Sequence, residues 1–517
     1  MRVLLVHPAF PVTYWGFQHA LPIIDKRATL PPLGLITMAA HLPPGAELRL
    51  VDLALTPLDD ATVRWAEVVL VGGMRIQSPS MHAVIAQARA LGRRTVVGGP
   101  AATTSPQEFA DADVVFQGEV EGREDELAQA LDGTLSGLRP ARETRPELAA
   151  TRLPRYDLLD LGAYCSMSVQ YSRGCPFRCE FCDVIEIFGR VPRVKQPAQV
   201  LAELDQLYAL GWRGTLFLVD DNFIGNRREV ARLLPELEAW QKQRGMPMSI
   251  YTEASVDLAS EPELLRGMVA AGFGAVFLGI ETPSETALRD AGKTQNLRLG
   301  PAQAVAILAR AGLEVMSGFI VGFDSDDAAA LRAQRAFLAA APIPLAMVGI
   351  LTALPGTALW KRLSREGRLR TAGEGDTHVR PNFVPRMNEA ELLDGYADLM
   401  TEVYCEDAYL KRCLAHLALA PVPQGRVRAG GLRIGARALW RLGVRGRRRR
   451  LFFGLLAASV QKSPAFISWA IEKAIQGEHL IRYTLEDVVP RIRAAAVEAR
   501  AAQLPLPHTL PVLSEAG

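Results

Sequence analysis

The chain has 517 residues, a formal net charge of +2, 49% hydrophobic and 22% charged residues. That length accommodates about two to four domains with full cores, and the near balance of charge argues against a nucleic-acid partner for the molecule as a whole. The longest late apolar run, LFFGLLAASV from Leu451, is about half of what a membrane span needs. The N-terminal MRVLLVHPAF is too short and too soon broken by proline to read as a secretory signal. Six cysteines, three of them packed into eight positions, fit a reducing cytoplasm and a metal site better than a disulfide framework.

Along the first 135 residues, short apolar strands beginning at Val3, Leu48, Val68, Thr95 and Val114 alternate with helical patterns. One helix carries Met81, Val84, Ile85, Ala88 and Leu91 on a single face. Continuous Val/Leu strands with helical crossovers predict an α/β fold with a parallel sheet covered on both faces, a doubly wound, Rossmann-like domain. Its ligand crevice lies at the carboxyl ends of the strands, where the sequence places Gly72–Gly73, Gly98–Gly99 and Gly118. A proline- and charge-rich stretch, 136–160, reads as a linker. Strands are then predicted at Met167–Tyr171, Thr215–Val219, Met248–Thr252, Ala275–Gly279, Val315–Val321 and Leu345–Leu351, with helices such as Ala198–Leu210 and Arg227–Gln243 between them. Six βα units over 161–387 make a partial (βα)6 barrel of the TIM type, with its chemistry at the carboxyl ends of the strands. From 388 to 517 the chain reads as a helical extension.

Directly after the first barrel strand stands Tyr171-Ser-Arg-Gly-Cys175-Pro-Phe-Arg-Cys179-Glu-Phe-Cys182. Thiolates spaced CxxxCxxC can wrap one face of a [4Fe–4S] cubane. The missing fourth thiolate leaves one iron open, and S-adenosylmethionine can chelate it through its amino and carboxylate groups. The alternatives are three unrelated buried thiols, or a structural zinc completed by Cys165 or a distant histidine. Zinc prefers paired CxxC knuckles, and no second knuckle is present.

The loop resembles that of the radical S-adenosylmethionine (SAM) superfamily, and the likeness continues along the barrel. Phe217-Leu-Val-Asp-Asp-Asn-Phe223, Thr252-Glu-Ala-Ser255, Gly279-Ile-Glu-Thr-Pro283, Gly318-Phe-Ile-Val-Gly-Phe-Asp324 and Leu354-Pro-Gly-Thr357 follow in the family's order. Leu30-Pro-Pro-Leu-Gly34 and Gly118-Glu119 resemble the cobalamin-binding subgroup, and the whole arrangement is similar to the family of the hopanoid 2-methylase, which shares the helical extension.

The resemblance implies a cluster on Cys175, Cys179 and Cys182, and SAM held by Phe181, Asp221, Asn222, Glu253, Glu281, Gly318 and Ile320. Carboxylates suit an ammonium or a ribose diol; the alternative for Glu253 and Glu281 is a structural ion pair. Of Asp220, Asp221 and Asn222 at least one is expected to face the cofactor. Arg173 and Arg178 either raise the cluster's potential or are solvated loop arginines. Cobalamin is expected at Met74, Arg75, Gln77, Gly98, Gly99, Gly118 and Glu119. The DxHxxG motif that supplies a histidine to cobalt is missing, and neither His7 nor His82 has its context. The implied cobalamin therefore has no protein histidine on cobalt, with Met74 or Arg75 over its lower face.

Between Pro421 and Arg450 the sequence has ten arginines and no acidic residue, followed at once by Leu451-Phe-Phe-Gly-Leu-Leu456. This segment is read as an amphipathic helix on an anionic membrane surface, with a solvated basic helix packed on the barrel and a nucleic-acid patch as alternatives. Together these readings give a cytoplasmic enzyme, peripheral on the inner membrane surface if the basic segment docks. Its expected activity is C-methylation of an unactivated carbon in a lipid or secondary metabolite through a 5′-deoxyadenosyl radical. An electron donor such as flavodoxin or ferredoxin is implied, and no nucleic acid. Competing expectations are a radical cyclase, oxidase or rearrangement enzyme and, outside enzymes, a cobalamin or redox sensor.

Overall fold

The computed structural model describes residues 1–373, 375–423 and 431–503. Its first sheet comprises β1 (Arg2–His7), β2 (Glu47–Asp52), β3 (Val68–Gly72), β4 (Arg94–Gly98), β5 (Val114–Phe116) and β6 (Gly137–Arg139), all parallel, in the order β2-β1-β3-β4-β5-β6. The Val/Leu strands bury both faces, as their lack of alternation predicts. Leu4, Val6, Val69 and Val71 pack on one side, and Val3, Leu5, Val68 and Leu70 on the other. β6 comes from within the stretch read as linker: Gly137–Arg139 is too short and polar to register as a strand, and only pairing with β5 makes it one. Strand order reverses between β1 and β3, so the crevice opens at their carboxyl ends, beside Pro8 and Gly73.

The second part begins with β7 (Ser166–Val169) and a short antiparallel hairpin of β8 (Ser172–Arg173) and β9 (Arg193–Val194). It continues through β10 (Thr215–Leu218), β11 (Ser249–Ala254), β12 (Phe273–Glu281), β13 (Glu314–Val321) and β14 (Leu345–Ile350). The order β14-β13-β12-β11-β10-β7 is sequential and parallel, so six strands curl into the expected partial barrel whose edges do not meet. Val276, Leu278 and Ile280 of β12 are buried against the outer helices, whereas Ala275, Phe277 and Gly279 on the inner face keep some exposure. The lumen is therefore open rather than filled.

An unpaired barrel edge exposes backbone acceptors. Here the helical extension covers them. Tyr396 Oη donates to the Val348 carbonyl at 2.8 Å and Tyr404 Oη to that of Ala346 at 2.5 Å, both on edge strand β14. Tyr14, from the segment after β1, stacks on Tyr404 with ring centroids 5.7 Å apart and lies 2.6 Å from Thr484 Oγ1. The first domain's long loop and the C-terminal helices thus meet over the same edge. At the foot of the barrel Lys473, on helix Ile467–Tyr483, forms a buried ion pair with Glu314 of β13, which also accepts from Trp469 Nε1 at 2.6 Å. Burial opposes ionisation of Glu314, but Lys473 and His416 outweigh it and hold the carboxyl below its ordinary value.

Removing one member of such a pair strands the other. Lys473→Met should lower stability in denaturant titration by about 3–5 kcal/mol, and adding Glu314→Gln should restore a large part of it. An equal loss in single and double variants would contradict this anchoring role.

Candidate active site

The hairpin β8–β9 closes a loop from Gly174 to Pro192 that holds all three spaced cysteines. Gly174 has φ +99°, and a Cβ there would lie 2.8 Å from the Gly189 carbonyl oxygen, so only glycine fits at the loop's entrance. Cys175 N donates to that same carbonyl at 3.2 Å. The remaining donors at the entrance are taken by carboxylates at the end of β10. Asp220 accepts from Tyr171 N (2.8 Å), Ser172 N (3.0 Å) and Ser172 Oγ (2.8 Å), and Asp221 accepts from Gly174 N at 2.8 Å. Burial pushes these carboxyls up to about 7 and about 6, although the loop's donors pull the other way. Asn222 accepts from Ser255 N at 3.1 Å and its side chain also hydrogen-bonds Cys175. Of the residues expected to face SAM, Asp221 and Asn222 thus stand at the site with their polar atoms engaged by the protein.

The three thiols are free. Burial raises Cys175 and Cys182, and each feels the charge of Cys179. Without a cation these thiols keep their protons, and a bound metal would favour the thiolate form. A structural zinc would need a fourth protein ligand beside these three cysteines. A cubane spreads its thiolates over separate irons, and a soft, all-sulfur donor set of three suits it.

Glu281 ends β12 at φ +65°, a left-handed conformation uncommon for a non-glycine residue, beside a register shift in the pairing with β13. Its carboxylate pairs with Lys293, which is buried and lies 5.8 Å from the Phe181 ring centroid. Burial alone would lower the Lys293 ammonium; Glu281, Cys179 and Cys182 together raise it. Gln295 Nε2 is 3.7 Å from Cys179 Sγ, and Asn296 Nδ2 donates to the carbonyls of Gly279 (2.9 Å) and Ile280 (3.0 Å). Gln295 Oε1 and Asn296 Oδ1 are buried without a partner among the described residues, acceptors ready for a ligand's donors. Lys293, Gln295 and Asn296 were missed by the sequence reading. The one signal was an uncommonly polar run, Lys293-Thr-Gln-Asn296, between two helical patterns.

Glu253 points from β11 into the lumen and makes no hydrogen bond among the described residues. Burial, then Asp221 and Asp220, push its carboxyl up to about 8. Gly318 and Ile320 share the inner face of β13, where a Cβ on Gly318 would come within 3.0 Å of the Phe277 ring. Ile320 and Phe181 pack on the same apolar group around Phe323 and Leu351. Phe319 and Val321 are buried on the outer face.

On the first sheet, Met74 is 55% exposed at the crevice. Gly99, at φ +86°, sits so close that a Cβ would be 3.1 Å from Gly73 N, and Gly98 and Gly118 border the same edge. The polar side chains expected to bind cobalamin hydrogen-bond within the protein. Arg75 donates to the Gly373 carbonyl (2.7 Å), Ser105 Oγ (2.8 Å) and the Glu108 carboxylate (2.8 Å). Gln77 Nε2 donates to the Pro8 carbonyl at 2.6 Å, and Glu119 pairs with Arg173 and Arg193. His7 lies 3.2 Å from Asp52, and His82 stacks on Phe109. Met74 and the glycines leave room for a broad, flat ligand at this edge. Arg173 is thus a buried, paired residue rather than a solvated one, with side-chain exposure of 10%.

Glu253 yields a pH test. Its folded value of about 8 stands above the ordinary 4.5, so the native apoprotein keeps a proton that the unfolded chain releases. This contribution is full below the unfolded value and is lost as pH rises towards the folded one. Glu253→Gln should flatten the fall in apoprotein stability between about pH 5 and pH 8 in urea titrations; parallel pH profiles for both proteins would contradict it.

Comparison with known proteins agrees with this geometry. A model of the radical SAM superfamily matches residues 169–332, and a domain of unknown function (DUF4070) matches 357–492. An uncharacterized methyltransferase of Synechocystis sp. is 42% identical over 93% of this chain and 92% of its own. The hopanoid C-2 methylase of Rhodopseudomonas palustris is 34% identical over 86% of each. Among solved structures, the cobalamin-dependent SAM radical enzyme OxsB, with aqua-cobalamin and SAM bound, aligns at TM-score 0.60 and 13% identity over 97% of this chain and 83% of its own. The radical SAM methyltransferase TsrM from Kitasatospora setae, with cobalamin and a [4Fe-4S] cluster bound, aligns at 0.54 and 17% over 72% and 79%. The likeness to these structures is one of fold. With relatives of this likeness along nearly its whole length, the chain belongs to the radical SAM superfamily, in the family that includes the hopanoid C-2 methylase.

Proposed function

We propose that the protein is a cobalamin-dependent radical SAM methyltransferase that places a methyl group on an unactivated carbon of an apolar, lipid-type substrate. The near full-length likeness to the hopanoid C-2 methylase carries this reading. When bound, the cluster and SAM supply the 5′-deoxyadenosyl radical that removes hydrogen from the substrate, and cobalamin supplies the methyl group. The reducing electron comes from a donor such as flavodoxin or ferredoxin.

The protein's part is to bind, orient and keep water out. Cys175, Cys179 and Cys182 hold the cluster, while Asp220 and Asp221 fix the loop that presents them. Glu253 waits largely protonated at neutral pH; an arriving ammonium from SAM offsets the neighbouring aspartates and lets it ionise. Lys293, poised between Glu281 and the thiols, suits the SAM carboxylate. The inner-face rings of Phe217 and Tyr251, stacked at 4.6 Å, and of Phe277 offer an apolar wall to a substrate's hydrocarbon. Met74 and the glycines at 98, 99 and 118 bound the space for the corrin.

No helix among the described residues is long and apolar enough to cross a membrane, so access to a lipid calls for a docking surface. Part of the basic and apolar segment is taken up within the protein. Leu451, Phe452 and Leu455 are buried in the core, and Arg437, Arg448 and Arg450 pair with Asp25, Glu478 and Asp407; Arg426 and Arg428 lie outside the described residues. Arg447, Arg449, Arg450 and Phe453 remain outward, and so does the face of residues 431–445 opposite buried Ala438 and Leu442. That face bears Leu439, Trp440 and Val444 interleaved with Arg441 and Arg445. Such a mixture suits an anionic lipid surface.

The reading predicts one isotopic methyl group in the product for each SAM consumed as methyl donor, with 5′-deoxyadenosine formed alongside, when methyl-labelled SAM and a lipid extract from a deletion strain are supplied. Cys175→Ala should abolish both products, whereas an unlabelled product would mark different radical chemistry. For docking, Trp440→Ala with Arg441→Gln and Arg445→Gln should weaken binding to phosphatidylglycerol vesicles by about 1 kcal/mol per arginine at low salt. Equal affinity for neutral and anionic vesicles would remove the membrane part alone.

A further inference from the structure

The neck of the cysteine loop is gripped from the other domain. Arg173 and Arg193 are direct partners across the β8–β9 hairpin, so they sit side by side where the loop leaves and rejoins the barrel. Glu119, on the turn after β5, accepts from both: Arg173 Nη1 at 2.7 Å and Arg193 Nη2 at 3.0 Å. Glu121 takes the other end of Arg173 at 2.9 Å and a hydrogen bond from Thr151 at 3.0 Å. Burial opposes the Glu121 charge, but Arg173 outweighs it and holds the carboxyl at about 2. Arg173 Nε donates to Gln170 at 2.7 Å, and Arg193 Nη1 to the Pro146 carbonyl at 2.5 Å. All four charged side chains have 10% exposure or less. Both cations belong to the neck and both anions to the turn that follows β5.

The place of this cluster matters more than its strength. Arg173 stands two residues before Cys175, and Glu119 directly follows Gly118, which borders the crevice at φ +79°. A cavity of about 270 Å³ lies between, walled by Gly118, Glu119 and Glu121 on one side and by Glu186 and Ile187 of the cysteine loop on the other. Two adjacent buried guanidiniums repel unless an anion lies between them, so the neck has one low-energy seat on the β5 turn. The two cofactor regions are then held at a set separation at the neck, while further along the loop Arg145 donates to the carbonyls of Ile187 (3.2 Å) and Glu186 (2.8 Å).

We propose that Glu119 is a positioning residue that sets the distance between the cluster and the cobalt by pinning the loop neck to the crevice. The proposal rests on the cobalamin reading above. A hydrogen removed by one cofactor and a methyl delivered by the other must concern the same carbon, and a misplacement of about 1 Å can cost about 10²-fold in such reactions. Glu119 thus serves coupling between the two steps, rather than either step alone.

The test compares Glu119→Gln, Glu119→Asp and the charge-balanced pair Glu119→Gln with Arg193→Gln in the reconstituted full chain. Iron content and the base-off cobalamin spectrum are measured first. Electron paramagnetic resonance of the reduced cluster with cob(II)alamin then reads the spacing through their dipolar coupling. Glu119→Gln should keep both cofactors and 5′-deoxyadenosine formation, shift the dipolar coupling, and lower methylated product per 5′-deoxyadenosine about tenfold or more. Glu119→Asp, shorter but still anionic, should fall between. The balanced pair should regain the stability and cluster potential of the parent but not its coupling ratio. An unchanged dipolar coupling in Glu119→Gln, or a balanced pair with the parent's coupling ratio, would overturn the proposal, as would parallel loss of product and 5′-deoxyadenosine in all variants. If the parent binds cobalamin yet transfers no methyl group, the functional reading fails and the dipolar measurement still decides the role of Glu119.

Discussion

A loop of some twenty residues with little regular structure has to be held in one shape at a buried entrance, and the barrel solves this with carboxylates. Each buried backbone N–H at the entrance would cost about 1–3 kcal/mol if left without an acceptor. Asp220 takes three donors and Asp221 a fourth. These two residues follow β10, the strand next to β7, so the sheet's own register brings them under the loop. The cost of that solution is a pair of buried negative charges, and much of the site's electrostatics follows from it.

Glu253, two strands away from the loop's origin, is driven towards its neutral form by burial and by those same aspartates. Lys293 answers the thiols and Glu281 from the opposite side. The site is thus divided: an anionic side suited to an ammonium and a cationic spot suited to a carboxylate, both within reach of the loop. A zwitterionic amino acid moiety bound to the open iron would meet complementary charge at each end. Around them Phe181, Ile320 and Phe323 keep the region apolar, which strengthens every polar contact made there.

Much of this was legible in the chain. Continuous Val/Leu runs marked the first parallel sheet because burial on both faces leaves no alternation to misread, the barrel showed in its regular strand–helix succession, and the cysteine spacing stood out against a background with few cysteines. Shared motifs pointed to Glu253, Glu281 and Gly318 on the inner wall. The rest depended on partners far apart in sequence. Alternation could not tell that Asp220 and Asp221 turn to the loop backbone, nor that Arg75, Gln77 and Glu119 spend their polar atoms on protein. β6 exists only through its pairing, and the covered edge of β14 needed Tyr396 and Tyr404 from an extension with no motif of its own. Charge counts along the basic segment likewise do not register that the acidic partners of Arg437, Arg448 and Arg450 lie on other elements.

The account's central claim is that three cysteines on this carboxylate-held loop leave one iron open to SAM. Electron–nuclear double resonance on the reduced, reconstituted protein with SAM labelled by ¹⁵N in the amino group and ¹⁷O in the carboxylate tests it most directly. The account predicts hyperfine coupling from both labels, showing chelation of the open iron. A cluster that forms but couples to neither label would contradict it.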